Sequence, residues 1–366
     1  MGFNLTDKSC KFLSFVAIIL FVFFFGGRGF IGWDWTNYYQ DFKEATTIRQ
    51  VFSHDHMFNE PAWNIYVALI KTFTNNYSVF VFISTLIDAV LLHLFFDKHI
   101  EHKYYAMALA VFLVFYGFTF ETDLMRNVKG LLIVLVGLRY IETREWWKFF
   151  LLGIIGTLFH WSIAMILPCY FFLHRRISLK WTLIFFVIGN IIYLAGLPSV
   201  SLVIRGIAQL MPTDQKETVL FYVTNAIYSK TYGLTLGYIE RTLVFLLVLF
   251  YQHKMIEDNK GNTMFINAMM LFVMICLYGY EFNIIITRVG ALFSFGCWIM
   301  YPLLLKYLDK PLKPVYWIVI SAIILIKINT LSNNVLYDYQ NCFIENIDNY
   351  DTRKDIFEKH YKQLQR

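Results

Sequence analysis

The chain is predicted to be an all-α polytopic membrane protein, and three observations carry that prediction. Hydrophobic residues make up 58% of its 366 positions and charged residues only 16%, whereas a soluble domain carries about 25% charged residues. Mean hydropathy is +0.51. Apolar runs of roughly 14 to 20 residues recur from end to end, which is the length a helix needs to enter or cross a ~30 Å hydrocarbon core. Residues 1–335 therefore read as one integral membrane domain and 336–366 as a polar C-terminal tail. The expectation is about 10–12 transmembrane helices, with short re-entrant or interfacial helices on the outer face.

Phe12 to Phe25 is the first run, preceded by Lys8 and Lys11. It resembles a signal-peptide core, but Gly26-Gly27-Arg28 follows it instead of a small-x-small cleavage site, so an uncleaved first span near 12–30 is expected. Further spans are expected near 77–96, 104–120, 128–141, 181–197, 235–251, 263–279, 288–305 and 315–331. The linkers between them carry Lys98 and Lys103; Arg139, Arg144 and Lys148; Arg175, Arg176 and Lys180; Lys254 and Lys260; and Lys306, Lys310 and Lys313. The positive-inside bias makes these linkers, and the N-terminus with them, cytoplasmic. Phe149 to Leu173 is open to two readings. It is long enough for one tilted span, which would put Arg175, Arg176 and Lys180 outside. A hairpin of two short helices turning near Phe159-His160 keeps them inside, and charge bias favours it. In either case His160 lies on the outer side of the midplane, roughly 18 Å from the cytoplasmic edge.

The outer face then receives 31–76, 121–127, 198–234, 280–287 and the tail from about 332. Ala62 to Phe73 is apolar but too short to span, and Pro61 suits the first position of an interfacial helix. Val200 to Met211 is a second short apolar stretch. The tail, with Asp338, Glu345, Asp348 and Asp351 among Lys and Arg, reads as a solvated helix. The net charge of +6 is spread over many loops and forms no basic tract, which argues against nucleic-acid binding. Cys10, Cys169, Cys276, Cys297 and Cys342 lack metal-ligand spacing and three of them lie inside apolar runs, so neither a disulfide framework nor a zinc site is expected, and no cofactor is called for.

Six arginines fall on this outer side: Arg28, Arg49, Arg126, Arg205, Arg241 and Arg288. Cations there run against the positive-inside bias and point to an anionic substrate. After the first span, Asp34 lies between Trp33 and Trp35, with Tyr38 and Tyr39 following. Aromatic faces stack on sugar C–H surfaces and a carboxylate can orient or deprotonate a hydroxyl. The alternative is an interfacial aromatic belt. Glu60, before Pro61, is pushed out of helical geometry and should sit at the lip of the short helix, as a site carboxylate or as a dipole partner. Ser53-His54-Asp55-His56 is a weak metal signal. Arg126 and Lys129 share a face at the outer start of a span, where the helix dipole already favours anions, so two cations call for a negative partner. That partner is a bound phosphate, or Glu121 or Asp123, unless the pair snorkels to lipid headgroups. Ser162 lies about 200° around a continuous helix from His160, which excludes a local Ser–His dyad. Glu281 and Arg288, seven apart, could pair on one face.

Taken together and in this order, these pieces resemble the EpsG family of polytopic membrane proteins, which includes Wzy-type polymerases of bacterial surface polysaccharide. The likeness runs from about 12 to 335 and rests on Gly32, Asp34 and Tyr38, Glu60-Pro61, Arg126, the block Gly156 to Ala164, and Thr287-Arg288-Val289-Gly290. Lys129-Gly130 departs from it where an alanine-rich stretch is usual. The resemblance implies a glycosyltransferase-C-like fold and transfer of a growing glycan from polyprenyl diphosphate to the terminal hydroxyl of the next lipid-linked repeat, at the outer face of the bacterial inner membrane. On that reading Asp34, Glu60 and His160 are the candidate catalytic residues, with His160 favoured as base because an unperturbed imidazole titrates near 6.5. Arg126, Arg288, Lys129, Arg241 and Arg28 would bind the diphosphate, and Trp33, Trp35 and Tyr38 the sugar. The implied partners are polyprenyl-diphosphate-linked oligosaccharide, the lipid bilayer, a chain-length regulator and a flippase. The alternatives are a single-sugar or acyl transferase on the same intermediates, or a lipid-linked oligosaccharide flippase.

Overall fold

The first helix starts where a threonine can cap it. In the computed structural model, which describes residues 6–45, 60–209, 217 and 233–364, Thr6 accepts from the Ser9 backbone N–H and α1 runs Asp7–Gly26. It ends at the Gly26-Gly27 pair, so the span expected near 12–30 sits about four residues earlier. The described residues are mostly helical, with one isolated β-bridge and no strand among them. They form two compact units, one of residues 1–167 with 309–366 and one of 168–308.

In the first unit, α2 (Trp35–Glu44) and α3 (Pro61–Lys71) are short and pack on each other. α4 (Tyr77–His99) is capped by Asn76, and α5 (His102–Thr122) is kinked at Phe115 and Tyr116. α6 (Met125–Val136) lies against both α4 and α7 (Trp146–Phe159). The span expected near 128–141 is thus a 12-residue helix followed by a separate turn at Arg139–Glu142. The 149–173 question is resolved in favour of the hairpin. His160 is extended (φ −159°, ψ 128°), and a 3-10 helix, Trp161–Phe171, folds back so that Ile163 meets Gly156 and Leu167 meets Gly153. Residues 7 and 14 apart along the chain could not touch in this way on one continuous helix.

In the second unit, α8 (Leu179–Ala195) and α9 (Val200–Ala208) are joined by a 90° bend. α10 (Leu236–Asp258) and α11 (Asn262–Tyr278) follow; α12 (Asn283–Arg288) leads through a short 3-10 turn to α13 (Phe295–Tyr307). α11 is the centre, touching α8, α10 and α13. α14 (Leu312–Ser332) and α15 (Tyr350–Leu364) belong to the first unit. By length and composition, four described helices can cross a membrane, or six if each of two bent pairs is one span. The multi-pass, all-α class holds. The larger expected count also included Leu236–Asp258, which is long but carries several charges, and the shorter apolar helices Trp146–Phe159, Trp161–Phe171 and Asn262–Tyr278.

The tail is not the solvated appendage its composition suggested. It runs along the glycine-rich stretch after α1: Gly29 N–H donates to Gln340 O at 3.0 Å, Gly32 N–H to Leu336 O at 2.8 Å, and Cys342 N–H to Gly27 O at 2.8 Å. Gly32 has φ +93°, and a side chain there would also strike Asp123, so glycine is required twice over. Arg353 is buried and paired with Asp338 and Asp348, while Tyr350 stacks on Tyr39 and Phe357 meets Trp35 edge-on.

Candidate active site

Three segments distant in sequence converge in the first unit. Glu60 forms the N-cap of α3, Arg126 stands in the first turn of α6, and His160 occupies the break between α7 and the 3-10 helix. Arg126 Nη1 donates to Glu60 Oε2 at 2.7 Å, and His160 Nε2 lies 3.4 Å from Glu60 Oε1. Glu60 has φ +57° and ψ 58°, a left-handed conformation for a non-glycine residue ahead of a proline. Such backbone costs about 1–3 kcal/mol and persists only where its surroundings hold it, a pattern that clusters at functional sites. Burial raises the Glu60 carboxyl above its ordinary pKa, while Arg126 draws it back down.

Close helix packing brings the pieces together. A side chain at Gly130 would meet the Gly156 carbonyl at 2.5 Å, and one at Gly156 would meet the Gly130 carbonyl at 2.7 Å. Two facing glycines let α6 and α7 touch backbone to backbone, which places Asn127 beside His160. Lys129-Gly130, a departure from the usual alanine-rich pattern, here supplies that contact. Asn127 Nδ2 donates to His160 Nδ1 and to Ser162 Oγ, both at 3.0 Å. Ser162 Oγ is also 2.8 Å from His160 Nδ1, which corrects the exclusion of a local contact between these two residues. That exclusion assumed a continuous helix, and the helix breaks at His160.

One acidic residue of the site escaped the reading of the sequence. Asp41, on α2, accepts from Trp63 Nε1 at 2.8 Å and interacts electrostatically with both Arg126 and Glu60. Burial raises its pKa, with the Trp63 and Arg126 interactions opposing. Its signal was weak but present: α2 buries Trp35, Tyr38 and Phe42, and Asp41 adjoins that face. Tyr38 is enclosed, its hydroxyl donating to Asp123 O and accepting from Met125 N–H, and the Arg126 guanidinium lies 5.6 Å over its ring.

The other candidates are placed differently. Arg28 is buried and donates to Phe25 O, Thr85 Oγ1 and Glu121 O, tying the ends of α1 and α5 to the interior of α4. Lys129 pairs with Asp88 at 2.7 Å, each side chain only 2% exposed. Neither Glu121 nor Asp123 is the ion-pair partner of Arg126; Glu60 is. Asp34 lies near Asp123 and Tyr337. Trp35 is buried against Phe30, Tyr350 and Phe357, and Trp33 packs against Phe357 and His360. In the second unit, Arg288 is exposed at the end of α12, and Arg241 borders a small cleft with Tyr193 and Tyr238. Arg205 is exposed on α9. The expected pairing of Glu281 with Arg288 gives way to a helix cap: Glu281 accepts from the Ser199 and Ser201 N–H groups at the start of α9. Arg49 and the Ser53-to-His56 stretch lie outside the described residues. Among the described residues no cluster of three or more His, Cys, Asp or Glu is arranged to hold a metal ion.

Chemically, the site joins a clamped carboxylate, a part-exposed guanidinium, an oriented imidazole and a second carboxylate. Residues 11–343 match the sequence model of the EpsG family. No curated protein and no solved structure matches the chain.

Proposed function

From the premise that the chain belongs to the EpsG family, we propose that it polymerises lipid-linked oligosaccharide repeat units at the outer face of the bacterial inner membrane. Family membership supports a polysaccharide-polymerase role in general. The finer reading is that the growing glycan moves from its polyprenyl diphosphate carrier to the terminal hydroxyl of the next lipid-linked repeat. The hydroxyl O–H bond breaks and its proton passes to a protein base. The oxygen then bonds to the anomeric carbon, and the diphosphate departs with the bonding electron pair.

The observation that carries the proposal is the meeting of Glu60, Arg126 and His160 beside Asp41. Arg126 has one Nη in the pair with Glu60, its side chain is 30% exposed, and its Nε has no hydrogen-bond partner among the described residues. A guanidinium with donors to spare at the start of a helix suits a phosphate oxygen, because its fork and the helix dipole act together. Stabilising charge on a departing diphosphate is the largest electrostatic demand of such a reaction.

The test is the surface glycan of a deletion strain. Loss of long chains with one capped repeat retained supports the polymerase. Complete loss of surface glycan points to assembly or export, and unchanged chains remove the protein from the process.

A further inference from the structure

We infer that Asp41 is the proton acceptor for the sugar hydroxyl, and that His160 positions Glu60 instead of taking the proton. This rests on the polymerase reading and names a base for it.

His160 is held in one tautomer. Its Nδ1 faces two N–H donors, the Ser162 backbone at 3.2 Å and the Asn127 amide at 3.0 Å, and the Ser162 hydroxyl, which also takes the Asn127 amide and can donate to Nδ1, at 2.8 Å. A proton on Nδ1 would face those N–H groups, so the neutral ring carries its proton on Nε2, and Nε2 faces Glu60 Oε1. In that state the nitrogen on the Glu60 side is a donor with no lone pair to offer. Glu60 is committed as well: one oxygen is held by Arg126 and the other faces the imidazole N–H, with the side chain only 12% exposed. Burial raises the Glu60 carboxyl as it does that of Asp41, but with both oxygens engaged Glu60 has no open position for a hydroxyl proton.

Asp41 is arranged differently. Its Oδ2 is fixed by Trp63 Nε1, a neutral donor on a fully buried ring, which leaves Oδ1 to meet a sugar hydroxyl. Asp41 is partly exposed, so a captured proton can pass on to water. The charged groups around it are Glu44 on its own helix, Glu60 at the start of α3 and Arg126 on α6. Burial raises the Asp41 carboxyl, making it a better acceptor than a solvated carboxylate. In the step proposed, the hydroxyl proton goes to Asp41 Oδ1 as the hydroxyl oxygen bonds to the anomeric carbon. The diphosphate leaves as the anion beside Arg126, and Asp41 returns its proton to solvent.

The experiment uses the full chain in proteoliposomes, with lipid-linked repeat unit extracted from the deletion strain as probe, and follows initial polymerisation rate against pH. Asp41→Asn is expected to lower kcat about 10²–10⁴-fold with KM little changed, the range for loss of a general base. Trp63→Phe keeps the carboxylate and removes its neutral donor, so it should stay active while the acid limb of its pH profile moves to higher pH. That variant tests the assignment even if Asp41→Asn fails to fold. Asp41→Asn at parental kcat, or a Trp63→Phe profile that coincides with the parent's, overturns the role of Asp41. A parent protein that fails to extend the repeat overturns the polymerase reading itself, and the assignment of Asp41 with it.

Discussion

Arg126 Nη1 reaches Glu60 Oε2 at 2.7 Å across 66 positions of sequence, and it does so while Glu60 is held at φ +57°. The pair ties α6 to the start of α3. If Arg126 also receives the donor diphosphate, geometry matters as much as charge, because guanidinium is a planar fork and ammonium a point charge. Arg126→Lys should therefore polymerise about 10²–10³-fold more slowly at matched protein level. Normal chain length in that variant would confine Arg126 to packing and move the diphosphate site elsewhere, with Arg288 and Arg241 next to try.

His160 gives a sharper contrast. As an N–H donor to Glu60, its Nε2 can be imitated by the amide nitrogen of glutamine, whereas alanine offers nothing. His160→Gln should retain at least about tenfold more activity than His160→Ala, a few kcal/mol at most separating donor present from donor absent. Equal inactivity of the two, with both folded, would restore the imidazole as the base.

Lys129 and Asp88 form a buried pair in an apolar setting, where removing one partner strands the other charge. Lys129→Met should cost about 3–5 kcal/mol of stability, and the double change Asp88→Leu with Lys129→Met far less. Thermal unfolding in detergent gives the ordering. A double variant that is folded yet inactive would show that Lys129 meets substrate after all.

Asp123 links the tail to the site, accepting from Trp33 N–H and the Tyr337 hydroxyl at 2.6 Å, with its carbonyl on Tyr38. Burial pushes its carboxyl up to about 6, against the pull of those two donors. The unfolded chain releases the same proton near 3.9. Between about pH 4 and 6 the folded state therefore holds a proton that the unfolded state has lost, and Asp123 makes stability fall as pH rises through that window, then level off. Asp123→Asn removes this slope. Its Tm relative to the parent should rise between pH 4.5 and 7, and a constant difference would place the titration on another group.

The membrane class, most helix positions to within a few residues, and Glu60, Arg126 and His160 as candidates were legible in the sequence, because apolar run length, charge and proline act locally. A 30 Å apolar core selects for helices whatever their neighbours are. Which candidates meet was decided only by the tertiary structure. Arg28 and Lys129 look as available as Arg126 in the sequence, yet backbone carbonyls and Asp88 enclose them. Asp41 belongs to no motif in the sequence, and only the bond from Trp63 to its Oδ2 marks it out. The Ser162–His160 contact depends on a helix break that apolar periodicity does not register, since Phe159 and Trp161 are hydrophobic whether or not the backbone between them is helical. Partner choice among buried charges is set by long-range packing, here by two glycines that let α6 and α7 touch, and no local pattern encodes which carboxylate will lie within 3 Å of which cation.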